Sequence, residues 1–151
     1  MADVVDPPTR SRMMAGIRGA NTKPELLLRR RLHAAGLRYR LHVADLPGRP
    51  DIVFPSRRAV VFVHGCFWHR HPGCHWCTTP ASNRDFWTIK FNANMDRDQQ
   101  HIAKLIALGW RVAVIWECAF RDGKIESVAL ALRKWLDGVD AFFETDLVRR
   151  R

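Results

Sequence analysis

The sequence predicts an α/β fold in which a mixed sheet is flanked by helices. Apolar runs typical of buried strands lie at residues 52–54, 59–63 and 111–116. Apolar residues at helical spacing precede these runs and also occupy residues 84–108 and 125–136. Elements of both kinds in this order, with no internal repeat, favour a single domain over residues 1–151.

The first predicted helix begins near Thr22. Thr22 and Glu25 have the spacing of a capping box, in which side chains satisfy backbone N–H groups at a helix start. Leucines at 26, 28 and 32 and an alanine at 35 follow, and Gly36 ends the pattern. We therefore expect a helix over residues 22–36.

Three strands should follow this helix. Residues 38–43 alternate as a short strand, and L-P-G-R-P at 46–50 predicts a turn that places Asp51 at the head of the strand 52–54. After residues 55–58, the strand 59–63 runs directly into His64. Two neighbouring strand ends are thus expected to present a carboxylate and an imidazole.

The second half of the chain predicts a helix, a strand and a helix. The long helix, residues 84–108, has a predicted buried stripe of Phe86, Phe91, Met95, Ile102, Leu105 and Leu108. Residues 111–116 are predicted to form a central strand that carries Cys118 just beyond its end. The last helix, residues 125–136, should bury Val128, Leu132, Trp135 and Leu136.

The charge favours a polyanionic partner. The chain carries 25 Lys and Arg against 15 Asp and Glu, a formal net charge of +10. Neutralising phosphates releases counterions, which suits DNA or RNA; an acidic membrane or a generally basic surface are the alternatives. Nine basic and three acidic residues give the first 40 residues a net charge of +6, so residues 1–20 are predicted to be a basic arm and residues 145–151 a loose tail.

No apolar run approaches the roughly 20 residues that cross a bilayer, and the first ten residues lack the pattern of a signal peptide. A cytoplasmic location without membrane association is expected. Because the cytosol keeps thiols reduced, the four cysteines are interpreted as free thiols or metal ligands rather than disulfides.

A run of imidazoles and thiols, H-G-C-F-W-H-R-H-P-G-C-H-W-C, occupies residues 64–77. Three thiols and one imidazole suit structural zinc, and the candidate ligands are Cys66, His71, Cys74 and Cys118. Cys77 or His75 are alternatives for Cys74 or His71. The alternative interpretation is that these residues are buried thiols and surface histidines that bind no metal.

A hydrolytic centre is predicted beside this cluster. Asp51 is a candidate magnesium ligand, because Mg²⁺ binds through one or two carboxylates, although Asp51 can equally well just close its turn. His64 and His69 are candidates for proton transfer near neutral pH. The ordinary interpretation of Glu25 is a helix cap, and that of Asp98 is an exposed residue on a helix.

Large rings accompany the polar residues. Phe67, Trp68 and Trp87 can stack on bases or wedge between base pairs, and unstacking costs least at a mismatched pair. Core packing is the alternative for Trp87.

Seven strings occur in order along residues 3–120: T-R-S-R-M-M, L-P-G-R-P-D, F-V-H-G-C-F-W-H, P-A-S-N-R-D-F-W, N-M-D-R-D, L-G-W-R-V and W-E-C. With these motifs the chain resembles the very-short-patch-repair DNA mismatch endonucleases. The resemblance implies a restriction-endonuclease-like fold with a structural zinc and a magnesium-dependent active site. It also implies nicking of one strand 5′ of the thymine in a T·G mismatch that arises from deamination of 5-methylcytosine.

The resemblance further implies roles for individual residues. Asp51 would ligate magnesium with the main-chain carbonyl of Val63, and His69 would activate water. His64 and Glu25 would complete the centre, and Asp98 would support His69. Phe67, Trp68 and Trp87 would intercalate beside the mismatch, and Met14 and Ile17 of the basic arm would contact the minor groove.

The sequence also departs from the family pattern. Cys77 is an extra thiol beside the histidine-rich tract. The usual nuclease D/E-x-K element is missing after Asp51; V-F-V-H stands in the next strand, which excludes the ordinary lysine mechanism.

Double-stranded DNA with a T·G mismatch is the expected partner, mismatch-repair proteins are candidate partners, and a monomer is expected. Two alternatives stay open: a nicking enzyme of different specificity, and a zinc-stabilised reader of distorted DNA without activity.

Overall fold

A five-stranded mixed sheet forms the centre of the protein in a computed structural model that describes residues 22–74, 77–121 and 123–145. The strands are β1 (Arg40–Leu41), β2 (Ile52–Phe54), β3 (Ala59–His64), β4 (Arg111–Trp116) and β5 (Phe142–Glu144). They lie side by side in chain order. β1, β2 and β3 pair antiparallel, whereas β4 and β5 continue parallel to β3.

Helices cover both faces of the sheet. They are α1 (Lys23–Ala34), α2 (Cys66–His69), α3 (Arg84–Ala107), α4 (Cys118–Arg121) and α5 (Ile125–Asp137), and a 3₁₀ turn, Pro55–Arg57, joins β2 to β3. Alternate residues of a strand point to opposite faces. Val61 of β3 packs with buried residues of α1 and α5, whereas Val60 and Phe62 pack with Leu105 of α3 and with Cys66. The predicted mixed sheet with flanking helices is confirmed.

The start of α1 follows the capping prediction only in part. The Oγ1 atom of Thr22 accepts a hydrogen bond from the backbone N–H of Glu25, at 3.4 Å. The Glu25 carboxylate does not return this bond; it contacts the His42 ring, where Oε1 lies 2.6 Å from Nε2. α1 ends before Gly36, whose φ of +86° is easiest for glycine.

Several strand predictions need correction. The strand predicted over residues 38–43 pairs only at Arg40 and Leu41, while β3 extends one residue further, to His64. β5 was not predicted, because its three residues, Phe142–Glu144, are too few to show a strand periodicity. Thr145, in the predicted loose tail, continues the pairing by donating its N–H to the carbonyl of Val114, at 3.2 Å.

The predicted stripe on α3 is right in its middle and wrong at its ends. Phe91 and Leu105 are buried, but Phe86 is 59% and Leu108 57% exposed. Phe86 lies five residues before Phe91 and so points away from the stripe, and Trp87, four residues before it, takes that place. The prediction for α5 is confirmed, because all four of its predicted inward residues are buried.

The predicted basic arm at residues 1–20, with Met14 and Ile17, lies outside the described residues, as does the tail beyond Thr145. No helix in the described part of the chain is both long and apolar enough to cross a membrane.

Candidate active site and metal cluster

A cavity of about 200 Å³ opens where β3 ends. Because β2 and β3 are antiparallel, the residue before β2 lies beside the last residues of β3. Asp51 therefore faces Val63, and its Oδ2 atom accepts a hydrogen bond from the Val63 N–H at 2.8 Å. His64 and Asp98 also line this cavity, so the predicted carboxylate and imidazole do meet at adjacent strand ends.

The electrostatic setting of Asp51 disfavours its charged form. Burial, and then the neighbouring Glu25 carboxylate, raise the pKa of Asp51 from 3.8 to about 7, against the lowering effect of the Val63 hydrogen bond. Ionised Asp51 would add a second negative charge beside Glu25. A bound divalent ion would compensate this charge and favour the ionised form.

Glu25 reaches this region from α1 and is 1% exposed. Its Oε1 atom is bonded to His42, and its Oε2 atom lies 3.6 Å from a terminal nitrogen of Arg29 without a hydrogen-bond partner. One oxygen or nitrogen atom from each of Glu25, His42 and Asp51 lies within 4.8 Å of the others. These donors suit a hard cation, since carboxylate oxygens dominate.

Two histidine rings stack at the opposite wall of the cavity. The centroids of His64 and His69 lie 3.9 Å apart and their planes differ by 5°. Burial, and then the charge of His69, lower the pKa of His64 from 6.5 to about 3, so its ring is neutral at physiological pH. The Nδ1 atom of His64 is buried and has no hydrogen-bond partner.

His69 is held from the other side by α3. Its Nδ1 atom lies 2.6 Å from Oδ2 of Asp98. An imidazole that donates from Nδ1 to a carboxylate has its lone pair at Nε2, the tautomer that accepts a proton there. The side chain of His69 is 31% exposed, so a water molecule can reach it.

Four buried donors gather behind this wall: Cys66, His71, Cys74 and Cys118. Their sulfur and nitrogen atoms all lie within 4.8 Å of one another, and Nδ1 of His71 lies 3.8 Å from the Cys66 sulfur and 3.4 Å from the Cys118 sulfur. Ideal tetrahedral zinc bonds would separate such atoms by about 3.6 Å. Burial raises the pKa of the Cys66 thiol, so its thiolate form would need a nearby cation to compensate the charge.

Cys77 lies beside the four-donor cluster and outside it. It is half-buried, and its backbone N–H donates to the carbonyl of Cys74 at 3.0 Å. The geometry therefore favours Cys74 over Cys77. His75, the other alternative, lies outside the described residues.

Aromatic rings from α2 and α3 form a second cluster. Phe67 makes edge contacts with Trp68, Trp87 and Phe91, at centroid distances of 4.9, 5.8 and 5.2 Å. Trp87 is 9% exposed, whereas Phe67 and Trp68 are half-buried. The guanidinium of Arg70 lies 4.0 Å above the Phe91 ring. The predicted wedge residues are thus neighbours, and Trp87 also packs as a core residue.

Comparison with known proteins identifies the family. The family model described as DNA mismatch endonuclease Vsr matches residues 2–76. The type II nicking enzyme V.XorIIP of Xanthomonas oryzae pv. oryzae is 51% identical over 138 residues, which are 91% of this chain and 98% of that protein. The DNA mismatch endonuclease Vsr of Escherichia coli is 43% identical over 149 residues, 97% of this chain and 95% of that protein. The chain belongs to the Vsr family.

Membership of the Vsr family identifies the chain as a DNA endonuclease, as the sequence predicted. A further relative, the type II nicking enzyme V.NmeAIP of Neisseria meningitidis, is 40% identical over 125 residues, 83% of this chain and 89% of that protein. The names of these relatives cover both mismatch endonucleases and nicking enzymes.

The structure of this Vsr-family chain brings the predicted catalytic residues into two groups, one around Asp51 and Glu25 and one around His64, His69 and Asp98. Sequence reasoning missed three residues at the same place: His42, Arg49 and His101. His42 bonds Glu25, and Arg49 and His101 line the cavity. The L-P-G-R-P turn offered a signal for Arg49, because residues beside a turn that delivers a catalytic group share its location.

Proposed function

We propose that this Vsr-family enzyme nicks one DNA strand 5′ of the thymine of a T·G mismatch left by deamination of 5-methylcytosine, and so initiates very short patch repair. The observation that carries this proposal is the convergence of Asp51, His64, His69 and Asp98 on one cavity at the end of β3. The Escherichia coli relative named a DNA mismatch endonuclease, which aligns over almost the whole chain, supports the substrate.

The residues around Asp51 fit magnesium. Asp51, the main-chain carbonyl of Val63 and Glu25 would hold the ion, and the Oε2 atom of Glu25, which lies 3.6 Å from Arg29 and accepts no hydrogen bond, keeps lone pairs for it. When bound, magnesium would neutralise charge on the phosphate and favour ionisation of water. Asp51 itself serves as a ligand only when deprotonated, so the ion and the proton compete for this carboxylate.

The histidines would carry out the proton transfer. His69 accepts a proton from the attacking water at Nε2, because Asp98 holds the Nδ1–H and thereby selects the tautomer. His64 remains neutral and stacks on His69, which restricts the rotation of the His69 ring. Asp98 acts here as a positioning residue, since it touches His69 rather than the reacting atoms.

The buried cluster of Cys66, His71, Cys74 and Cys118 would hold a structural zinc. Four protein donors leave no open position, which is the arrangement of structural rather than catalytic sites. Cys66 and His71 bracket α2, the helix that carries Phe67, Trp68 and His69. Zinc bound to these ligands would therefore fix the positions of His69, Phe67 and Trp68 together.

The aromatic cluster would read the mismatch. Phe67, Trp68 and Trp87 are proposed to enter the duplex beside the T·G pair, where unstacking is cheapest. Met14 and Ile17 of the basic arm are proposed to contact the minor groove. The net charge of +10 supports binding to the phosphate backbone.

A second candidate function is nicking with a different specificity, for example beside a restriction system. Relatives named type II nicking enzymes favour this alternative, and one of them is 51% identical to this chain. The same catalytic residues would serve either function, so only the substrate separates them. A reader without activity is disfavoured by membership of an endonuclease family. Action as a monomer, a cytoplasmic location and contact with mismatch-repair proteins remain proposals consistent with a chromosomal DNA substrate.

The test is strand-resolved cleavage of a short duplex with one T·G pair. The same duplex with T·A at that position is the control, and each is incubated with magnesium or with chelator. Wild type is compared with Asp51→Ala and with Asp45→Ala, which removes an exposed carboxylate outside the cavity.

A magnesium-dependent nick 5′ of the mismatched thymine, lost in Asp51→Ala and kept in Asp45→Ala, is the expected result. Nicking of T·A at an equal rate would overturn the mismatch specificity. Retained nicking by Asp51→Ala would overturn the metal-ligand assignment, and an undiminished rate in chelator would overturn the magnesium requirement.

A further inference from the structure

Arg49 stands at the mouth of the catalytic cavity in an uncommon backbone conformation. Its φ is +47°, and it follows Gly48, whose φ is +75°. A left-handed conformation costs a residue with a Cβ atom about 1–2 kcal/mol, and such residues cluster at functional sites. The turn is closed by a hydrogen bond from the Arg49 N–H to the Leu46 carbonyl, at 3.0 Å.

The side chain of Arg49 is exposed and little engaged. Its Nε atom donates to the carbonyl of His42 at 3.4 Å, a long hydrogen bond, and its two terminal nitrogens have no partner among the described residues. Arg70 provides the contrast within the same region. Its terminal nitrogens donate to Phe67, Thr78 and Thr79, and its guanidinium covers Phe91.

The described lining of the cavity is rich in carboxylates. Asp51 and Asp98 line it, and Glu25 lies beside Asp51. Among the described residues that line this cavity, Arg49 is the only arginine or lysine. A phosphodiester that enters the cavity carries one negative charge toward these carboxylates, so a cation beside its path lowers the cost of approach.

The strands that meet at the cavity offer no lysine for this purpose. β2 is Ile52–Phe54 and β3 ends in V-F-V-H, so neither carries a cationic side chain near Asp51. The turn before Asp51 does, because Arg49 precedes it by two residues. A guanidinium presents parallel N–H groups that match two oxygens of a phosphate.

We propose that Arg49 binds a non-bridging oxygen of the scissile phosphate and stabilises the charge that develops there during hydrolysis. This proposal depends on the proposed function in one respect, namely that hydrolysis takes place in this cavity. The water oxygen forms a bond to phosphorus while the bond from phosphorus to the leaving oxygen breaks. One water proton passes to His69 and the leaving oxygen takes up a proton from solvent, so the phosphoryl oxygens carry one additional negative charge at the transition state. Arg49 would stabilise that charge through N–H groups already in place.

The experiment is single-turnover cleavage of three duplexes that differ only at the scissile phosphate. One carries the natural phosphate, and the other two carry the separate phosphorothioate diastereomers, in which sulfur replaces one or the other non-bridging oxygen. The duplex is whichever one wild type nicks, with the T·G duplex tried first. Wild type is compared with Arg49→Gln, Arg49→Lys and Arg133→Gln, the last of which removes an exposed charge from α5 on the opposite face of the sheet.

We expect Arg49→Gln to lower the rate on the natural phosphate about 100-fold, Arg49→Lys to retain part of it, and Arg133→Gln to retain nearly all. The decisive readout is stereochemical. Sulfur at the oxygen bound by Arg49 should slow wild type, and this slowing should largely vanish in Arg49→Gln while the effect at the other oxygen persists. Replacing magnesium by manganese, which rescues sulfur at a metal-bound position, should not restore the rate at the Arg49 position.

Two structural checks accompany the rates. Urea unfolding of Arg49→Gln should match wild type, and Arg49→Gly provides a second uncharged variant whose backbone accepts the left-handed conformation freely. Mismatch binding in chelator should weaken by no more than a few fold, because one phosphate contact among many is lost.

Three results would overturn the inference: an unchanged rate in Arg49→Gln, an equal slowing of Arg49→Gln on all three duplexes, or sulfur effects at both oxygens that are as large in Arg49→Gln as in wild type. An equal slowing would identify Arg49 as a support for the turn alone. A wild type that nicks a duplex other than T·G refutes the proposed specificity and leaves this test intact. A wild type that nicks no duplex overturns the proposed function and this inference together.

Discussion

The Nδ1 atom of His69 lies 2.6 Å from Oδ2 of Asp98, and this contact joins the four-residue helix α2 to the long helix α3. The His69 ring is at the same time stacked on His64, which is the last residue of β3. A single imidazole is thus oriented by three elements of the fold. Orientation of this kind lets a catalytic group act without first losing rotational freedom.

Asp98→Asn should lower the single-turnover rate of nicking about 100-fold. An asparagine amide can donate to Nδ1, which favours the tautomer with its proton at Nε2, and that ring cannot accept a proton from water there. Mismatch binding in chelator should stay close to wild type. Asp96→Asn on the same helix is the control, because Asp96 is exposed and does not line the cavity. An undiminished rate in Asp98→Asn would contradict the orienting role.

Asp51→Asn should stabilise the metal-free protein at alkaline pH. The folded-state pKa of Asp51, about 7, is above its ordinary 3.8, so the folded state holds the proton more tightly than the unfolded state. The stability of wild type relative to the variant is therefore highest at pH values below the ordinary pKa of 3.8. This advantage disappears as the pH rises through the folded-state pKa of about 7. At pH values above about 7 this pKa shift lowers the free energy of unfolding of wild type relative to the variant by at most about 4 kcal/mol.

The measurement is urea unfolding in chelator at pH values on both sides of this range, with Asp45→Asn as an exposed control. Magnesium should then stabilise wild type at the alkaline end and leave Asp51→Asn almost unaffected, because the variant lacks the ligand. A difference between wild type and variant that does not grow with pH would refute the raised pKa.

Much of the fold follows from local patterns in the sequence. Strands β3 and β4 are continuous apolar runs, and their parallel pairing places His64 opposite Trp116. Long periodic segments gave α3 and α5 with bounds within a residue or two. The short helices α2 and α4 have four residues each, too few for a periodic pattern, and they begin at Cys66 and Cys118, two members of the four-donor cluster.

Cys74→Ser should abolish the proposed zinc binding, whereas Cys77→Ser should retain one zinc per chain. Cys74 is one of the four mutually close donors, and Cys77 is not. Because structural zinc contributes directly to folding, Cys74→Ser should also unfold at a much lower temperature. Zinc content by elemental analysis and thermal unfolding check both variants. Full zinc occupancy in Cys74→Ser, with loss in Cys77→Ser, would reverse the assignment.

Substitution of Trp87 should mainly lower stability, whereas substitution of Trp68 should mainly lower mismatch recognition. Trp87 is 9% exposed and packs 5.4 Å from Phe91, so Trp87→Ala should cost about 3–5 kcal/mol of unfolding free energy. Trp68 is half-buried, and Trp68→Ala should cost much less while lowering the preference for T·G over T·A. Urea unfolding and competitive cleavage give the two quantities. Phe86→Ala, at an exposed ring, is the control. An unchanged preference in Trp68→Ala would contradict the wedge.

The candidate site was less predictable than the fold, because its residues meet only through long-range packing. The spacing of Glu25 from Thr22 predicts only a helix cap, and the family resemblance alone implies a place for Glu25 in the catalytic centre. In the structure its side chain is hydrogen-bonded to His42, which is 17 residues away in the chain. No local pattern signals a contact between a helix carboxylate and an imidazole from a turn. The resemblance implied Asp51, His64, His69, Glu25 and Asp98. The turn before Asp51 offered a signal for Arg49, whereas His101 could be found only from the cavity itself.

Gly48→Ala should destabilise the protein through both its backbone and its side chain. The φ of Gly48 is +75°, and a Cβ atom built there would lie 2.9 Å from the His101 ring and its Cβ atom on α3. Gly36→Ala is the matched control, because its φ is +86° and a Cβ atom there meets nothing within 4 Å. We expect about 1–2 kcal/mol for Gly36→Ala and about 1–3 kcal/mol more for Gly48→Ala.

The additional cost should be partly removable, since it comes from one residue. His101→Ala removes the ring and leaves the Cβ atom, so adding it to Gly48→Ala should recover only the share of the steric cost that the ring causes and none of the backbone cost. The coupling energy from urea unfolding of the single and double variants measures that share. Gly48→Ala should also slow nicking, because the same turn carries Arg49 and Asp51 into the cavity. Equal costs for Gly36→Ala and Gly48→Ala, without coupling to His101, would mean that the close approach of the turn to α3 does not constrain the cavity.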